Sequence, residues 1–355
     1  MEELQPKYVV LTLGFALGML FGAAVQRSNY CTMGAISDVV LMGDFRRARA
    51  GVLSVAIALV ASQLLEIQGL ADLSKSIYRT PVLGWIGAIL GGTAFGFGMV
   101  LAGGCGSRIL VRTGAGNLKS LVAAIVLAIA ALTTLRGLIA PLRRTFEQGT
   151  QIDLRGIGIS SQGLPDLVAR ATGLGVGPLR VALALVIGIA LTIWALASPS
   201  LRRDRVLLAA SVIIGLIIPA AWAATTWASR DPFEPMQVAS FSFVAPIGDG
   251  LQYLMFFTGA SLGFGAASVG GVIAGAFVAA MLSGSFRVEG FTDTSDLIRH
   301  ISGGMLMGVG GVLALGCTVG QGLSGLSTLA VGSFIAVAGI VLGGVAGIRW
   351  LENRA

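Results

Sequence analysis

Charged residues interrupt this chain at intervals that match the thickness of a bilayer. A membrane-crossing helix needs about 20 mostly apolar residues. Uncharged stretches of that order lie between Lys7 and Arg27, Arg49 and Glu66, Arg79 and Arg108, Lys119 and Arg136, Arg180 and Arg202, and Arg205 and Arg230. Two longer ones, from Asp249 to Arg287 and from His300 to Arg349, each have room for two helices, or for one helix and a re-entrant piece. The pattern predicts about nine or ten spans, all helical, because an open chain in hydrocarbon satisfies its backbone only as helix. The first span does not read as a cleaved signal peptide. It starts acidic, with Glu2 and Glu3, and its small residues run directly into Gln26-Arg27-Ser28-Asn29-Tyr30-Cys31.

Residues 141–180 form the one long polar stretch. It is too short for a domain and predicts an interfacial connection with an amphipathic helix over 164–171. A second connection, 229–249, holds three prolines and predicts an ordered loop. Composition settles the class. Charged residues are 12% of the chain, about half the usual share, against 55% hydrophobic, with a mean hydropathy of +0.87. So few charges cannot cover a water-facing surface, and the chain reads as an all-α polytopic membrane protein, a single integral domain over 1–355. Three cysteines and one histidine exclude a disulfide scaffold, a zinc finger and most histidine-based catalysis. The expectation is a transporter and not an enzyme, with no cofactor, no resident metal and no nucleic-acid partner. The net charge of +7 is carried almost entirely by arginine. Clusters such as Arg46-Arg47-Arg49, Arg202-Arg203-Arg205 and Arg349/Arg354 fit a basic cytoplasmic fringe. They equally fit an anion-attracting mouth, so charge alone assigns no orientation.

The chain also repeats itself. Residues 91–106 read GGTAFGFGMVLAGGCG and residues 303–318 read GGMLMGVGGVLALGCT, aligned without a gap at an offset of 212. Cys105 falls on Cys317 and Gly104 on Gly316. Weaker echoes, Phe21-Gly22-Ala23-Ala24 with Phe264-Gly265-Ala266-Ala267 and Gly51-Val52-Leu53 with Gly271-Val272-Ile273, suggest repeat halves of about 8–140 and 251–350, joined by 141–250. The change of offset between these echoes, from 243 to 220, implies that the first half has about 23 residues the second lacks, Cys31 among them. Repeated, glycine-interrupted apolar segments mark transporters whose path lies between the halves. Small residues at every fourth position also serve close helix packing, but Gly103-Gly104-Cys105-Gly106 breaks a helix without helping it pack. Only short apolar runs follow Cys105 and Cys317, so each predicts a re-entrant element, as does 27–38 with Cys31 near its tip.

All three cysteines thus sit at predicted helix breaks. A soft-metal path suits thiolates, yet there is no Met-x-x-Met ladder and no carboxylate inside the long spans. The remaining inner surface, glycine amides with Ser107, Thr318, Gln321 and the thiols, consists of donors, which suit an anion held at half-helix N-termini. Thiols bias the choice toward an anion with a soft sulfur atom. A membrane sulfurtransferase using a persulfide is the other reading, although no base lies near to make a thiolate.

The segments Asn29-Tyr30-Cys31-Thr32-Met33-Gly34-Ala35-Ile36-Ser37-Asp38, Gly103-Gly104-Cys105-Gly106-Ser107 and Gly316-Cys317-Thr318-Val319-Gly320-Gln321-Gly322 resemble the YeeE/YedE sulfur-transport family. The resemblance implies a bacterial inner-membrane protein that takes up thiosulfate for cysteine synthesis. It implies an hourglass-like helical fold with short re-entrant helices around a central constriction, where Cys31, Cys105 and Cys317 relay the ion through S–H···S contacts. It also implies a small cytoplasmic TusA-like sulfur carrier as partner; branches of the family linked to selenium or other sulfur compounds share these motifs. Gly104, Gly106 and Gly316 then open the backbone at the breaks. Arg27 and Arg108 are the candidates for drawing the anion to the mouths, and Asn29, Thr318 and Gln321 either hold the re-entrant tips or touch the ion's oxygens.

Overall fold

The computed structural model describes residues 6–232 and 234–353; Glu2, Glu3 and Arg354 lie outside them. The chain forms fifteen α-helices among the described residues. In the first part these are α1 (Pro6–Ser28), α2 (Thr32–Ser37), α3 (Arg46–Ile67), α4 (Trp85–Leu101), α5 (Gly106–Gly114) and α6 (Leu118–Leu135). A peripheral group follows: α7 (Ala140–Thr150), α8 (Leu164–Thr172), α9 (Val176–Leu196) and α10 (Pro199–Arg203). The last part holds α11 (Arg205–Ala228), α12 (Val244–Met255), α13 (Phe264–Leu282), α14 (Thr294–Leu313) and α15 (Val331–Glu352), with a π-helical turn, Gly320–Gly325, between the last two. Eight helical runs are long and apolar enough to cross a membrane. Helix α14 is a ninth long helix, with Asp296, Arg299 and His300 in its first two turns. The chain is therefore an all-α, multi-pass membrane protein. Its only regular strands among the described residues are two-residue ones, Val82–Leu83 against Ile152–Asp153.

The helix starts have local causes. Asn117 Oδ1 accepts the Ser120 N–H at 2.8 Å and opens α6, Asp204 does the same for α11 at 3.0 Å, and Asp293 for α14 at 2.7 Å. The glycine surplus sits where helices touch. A Cβ on Gly96 would collide with the Ile340 carbonyl oxygen, and one on Gly22 with that of Val272. Those contacts hold α4 on α15 and α1 on α13 at backbone distance.

Packing obeys a pseudo-twofold rule. Helix α1 lies on α13 and α11 on α3; α4 lies on α15 and α14 on α6. Helix α2 touches α15 and α12 touches α6, while α5 rests on α13 and the π-turn rests on α3. Exchanging α1 with α11, α2 with α12, α3 with α13, α4 with α14, α5 with the π-turn and α6 with α15 converts each of these contacts into another that is also made. The central pairs run antiparallel. Gly91 meets Gly310 while Gly98 meets Gly303 across α4 and α14. Lys7 at the start of α1 binds Glu234 just beyond α11 at 2.9 Å. The repeat is therefore inverted.

This arrangement differs from the sequence expectation at two places. The segment 229–249 is irregular only as far as Phe243, because α12 starts at Val244 and carries Asp249 paired to Arg136 at 3.4 Å. The segment holding Cys31 is not peculiar to the first half, since α12 occupies the place of α2, and α11 that of α1. The weak echo at offset 243 had matched α1 with α13, which are packing partners and not repeat equivalents. The counterpart of the first half thus begins at α11 rather than near residue 251.

Two faces result. One gathers the starts of α3, α11 and α14 and the ends of α1 and α13, joined by Arg46–Asp204 at 3.8 Å, Gln26–Ser285 at 3.4 Å and Lys119–Asp296 at 2.6 Å. Arg27, Arg47, Arg202, Arg203 and Arg287 crowd it, and it is called the arginine face below. The other is a mixed face. There, buried Arg79 binds Glu66 at 2.7 Å and Asp166 at 3.1 Å, and Arg180 shares Glu66 at 2.7 Å. This cluster clamps the amphipathic α8, expected over 164–171 and found over Leu164–Thr172, to the ends of α3 and α9.

Candidate functional site

Helix α4 ends as its repeat equivalent α14 does. After Ala102, Gly103 takes a left-handed φ of 67°; after Ala314, Leu315 takes one of 55°. The N–H of Gly104 bonds back to Met99 O and that of Gly316 to Gly311 O, both at 2.8 Å. Each turn closes one helix and delivers a cysteine to the start of the next short element. Cys105 is the N-cap of α5, and Cys317 stands three residues before Gly320, whose N–H it accepts on Sγ at 3.3 Å. Cys31 is the N-cap of α2, and its Sγ accepts the Gly34 N–H at 3.4 Å. The fourth equivalent position, the N-cap of α12, is Phe243.

These starts converge. The side chains of Cys31 and Cys105 interact directly, Cys105 interacts further with Thr318 and Cys317, and the Phe243 backbone reaches the Cys317 sulfur. Cys105 and Cys317 are buried and Cys31 is half-buried, all three as free thiols. They form a line from the arginine face (Cys31) through the centre (Cys105) toward the mixed face (Cys317). Among the described residues no three His, Cys, Asp or Glu side chains gather as a metal cage.

The other expected residues fall into two groups. Arg108 stands at the Cys31–Cys105 pair. Its Nη2 donates to Asn29 Oδ1 at 2.9 Å, while its Nη1 is buried with no hydrogen-bond partner among the described residues. Asn29 holds a left-handed φ of 53° at the turn into α2. The Thr318 hydroxyl, beside Cys105, is also buried without a hydrogen bond of normal geometry. Buried polar groups are nearly always satisfied, and one left unpaired loses about 1–3 kcal/mol, so these two donors are available to an anion on the line of thiols. Gln321 does different work: its Nε2 binds Ala314 O at 2.5 Å and braces the end of α14. Gly104 packs under the Arg108 side chain, Gly316 is extended, and a Cβ on Gly106 would meet Phe243 at an ordinary 3.6 Å. Arg27 is exposed on the last turn of α1, and among the described residues no hydrogen bond or ion pair links it to the thiols.

Four residues were not foreseen. Arg112 Nη1 donates to Gly103 O at 3.1 Å and ties α5 to the break behind it. Phe243, tilted against Phe21 and edge-on to Phe241, stands where a fourth thiol would be. Tyr78 and Ser242 line a cavity of about 460 Å³ that opens from the mixed face down to Gly316. Extending the offset of 212 to Tyr30-Cys31 would have pointed to Ser242-Phe243; nothing in the pattern pointed to Tyr78. A second cavity, about 510 Å³ and almost wholly apolar, reaches Cys31 and Thr318 from between α3, α9 and α15.

A family model described as sulphur transport matches residues 27–346. Among curated proteins, the thiosulfate transporter TsuA of Spirochaeta thermophila is 28% identical over 337 residues, covering 93% of this chain and 96% of that one. TsuA of Escherichia coli is 28% identical over 333 residues, with coverage of 89% and 87%. The probable transporter YedE of Salmonella typhimurium matches a shorter stretch, 32% identical over 110 residues, 30% of this chain and 24% of its own.

Proposed function

The chain belongs to the sulphur transport family, and from that premise we propose that it carries thiosulfate across a bacterial inner membrane to supply sulfur for cysteine synthesis. The observation that carries this reading is the line of Cys31, Cys105 and Cys317, each at the start of a short helical element and flanked by the unspent donors Arg108 Nη1 and Thr318 Oγ1. Thiosulfate has oxygens at one end and a soft sulfur at the other. Arginine, hydroxyl and backbone N–H groups suit the oxygens, and the thiols suit the sulfur. The ion moves by exchanging one thiol for the next while its oxygens stay hydrogen-bonded. Neutral thiols serve this best, because a thiolate would repel the dianion. The two curated relatives named for thiosulfate, each matching about nine-tenths of the chain, support the choice of ion.

An inside-negative potential opposes this influx by about 2.3 kcal/mol per charge per 100 mV, hence roughly 4–5 kcal/mol for two charges. Among the described residues no carboxylate or histidine lies on the thiol line to couple protons, and His300 is bound to Asp296 at the start of α14. The relay therefore runs downhill, drawn by consumption of the ion inside, for which a small TusA-like sulfur carrier at the inner mouth is the natural partner. Growth of a sulfur-auxotrophic host tests the reading. The protein should support growth on thiosulfate and not on sulfate alone, and a host that gains nothing on thiosulfate would refute it.

A further inference from the structure

The inverted repeat is symmetric in its backbone and asymmetric in its chemistry. At the offset of 212, Cys105 pairs with Cys317 and Gly104 with Gly316, but Arg108 pairs with Gly320 and Tyr30 with Ser242. On the arginine side, a guanidinium stands over the thiols. On the mixed side, glycine vacates that place, and two hydroxyls from elsewhere in the chain turn into it. A Cβ added at Gly320 would lie 2.6 Å from Ser242 Oγ and 3.3 Å from Tyr78 Oη, while the Gly320 N–H itself points at Cys317 Sγ. Tyr78 comes from the short 3₁₀ turn Ile77–Arg79, anchored by buried Arg79, and its ring stands edge-on to Trp222 at 6.3 Å. Both hydroxyls line the 460 Å³ cavity at the end nearest Gly316.

We propose that Tyr78 Oη and Ser242 Oγ form an uncharged docking subsite for a small sulfur oxyanion at the mixed-face approach to Cys317, holding the oxygens while the thiol receives the terminal sulfur. The inference rests on the transport reading above and adds to it an oxyanion-binding pair outside the family-like motifs. Its physical logic is that of a conducting site, favourable enough to fill and weak enough to empty. Hydroxyl donors bind a dianion without neutralising it, so the ion is passed on to Thr318 and Arg108, where binding is charge-assisted. Burial pushes the Tyr78 phenol well above its ordinary range, so the hydroxyl stays a donor at any working pH.

The test is concentration-dependent thiosulfate uptake into liposomes holding wild-type protein, Tyr78→Phe, Ser242→Ala or Cys317→Ala, with sulfate as competitor. Tyr78→Phe keeps the ring on Trp222 and removes only the hydroxyl. Each hydroxyl variant should raise the half-saturating thiosulfate concentration roughly tenfold, the worth of one hydrogen bond to a charged group, with the maximal rate changed less than twofold. The preference for thiosulfate over sulfate should survive in both, because sulfate has the same oxygens, whereas Cys317→Ala, which removes a thiol of the relay, should lose thiosulfate uptake altogether. Wild-type half-saturation in both hydroxyl variants would overturn the subsite and leave the transport reading standing. Wild-type protein that moves no thiosulfate would overturn both.

Discussion

On the proposed transport reading, Arg108 divides one side chain between structure and the path. Its Nη2 is spent on Asn29, which fixes the turn into α2, and its Nη1 is left for the path. Arg108→Met should therefore reduce thiosulfate uptake by at least tenfold, since a charge-assisted hydrogen bond is worth about 1.5–3 kcal/mol. Arg108→Lys should fall between, keeping the charge but losing the planar fork that serves two partners at once. Initial rates in the two variants at equal protein level check this ordering. The thiols were legible because a scarce residue type stood at helix-breaking glycines, and Thr318 and Arg108 because they follow two of those cysteines within three residues. For Gln321 the sequence left two roles open, holding a tip or touching the ion, and only the fold, which brings its amide to Ala314 O, favours the first. Tyr78 was illegible for the same reason. It lies in an ordinary connection and enters the site only because the Arg79 cluster pins that connection over α3.

At the scale of elements, glycine has two roles with opposite tolerances. On α4 and α1 it admits a neighbouring backbone, so Gly96→Val on the Ile340 carbonyl should destabilise the fold by about 1–3 kcal/mol as overpacking does. Gly106→Ala, with its nearest neighbour at contact distance, should leave stability unchanged. Thermal unfolding of the two variants in the same detergent separates them; equal melting would show that the α4–α15 approach does not depend on glycine. The spans were legible from the spacing of charges, and α8 from its amphipathic pattern. Helix α12 was not. The three prolines of 229–249 and Asp249 read as loop, although the one proline inside the helix, Pro246, falls in its first turn, where no N–H is needed, and Asp249 is paired to Arg136. The two-residue strand pair is too short to leave any periodic signal.

For the whole molecule, the inverted repeat gives a symmetric scaffold two chemically different approaches to the thiols. The two halves supply equivalent breaks, but only one end of the thiol line meets arginine, and the fourth thiol position is taken by Phe243. The same asymmetry gives an orientation that charge counting along the chain could not, because folding sorts the arginines by face. Arg27, Arg47, Arg202, Arg203 and Arg287 lie together, and of these only Arg47 makes an ion pair among the described residues, to Asp38 at 3.4 Å, whereas most basic groups of the mixed face, such as Lys7, Arg79 and Arg136, are paired with acids. The positive-inside rule then predicts that the arginine face is cytoplasmic, in which case an ion crossing inward would pass from the hydroxyl subsite to Arg108. A reporter inserted at Gly284, between α13 and α14, should be cytoplasmic, and one at Gly173, between α8 and α9, should be outside; the reverse pattern would invert the assignment.

The central claim is that thiosulfate passes along Cys31, Cys105 and Cys317. It is tested most directly by the flux of labelled thiosulfate down its gradient into liposomes containing only this protein, wild type against Cys105→Ala. Cys105 is the middle of the line, and its replacement removes one small group without disturbing a helix interior. The account predicts saturable flux in the wild type, unaffected by an imposed proton gradient, and flux near that of empty liposomes in Cys105→Ala with unchanged thermal unfolding. Wild-type flux through folded Cys105→Ala would contradict it.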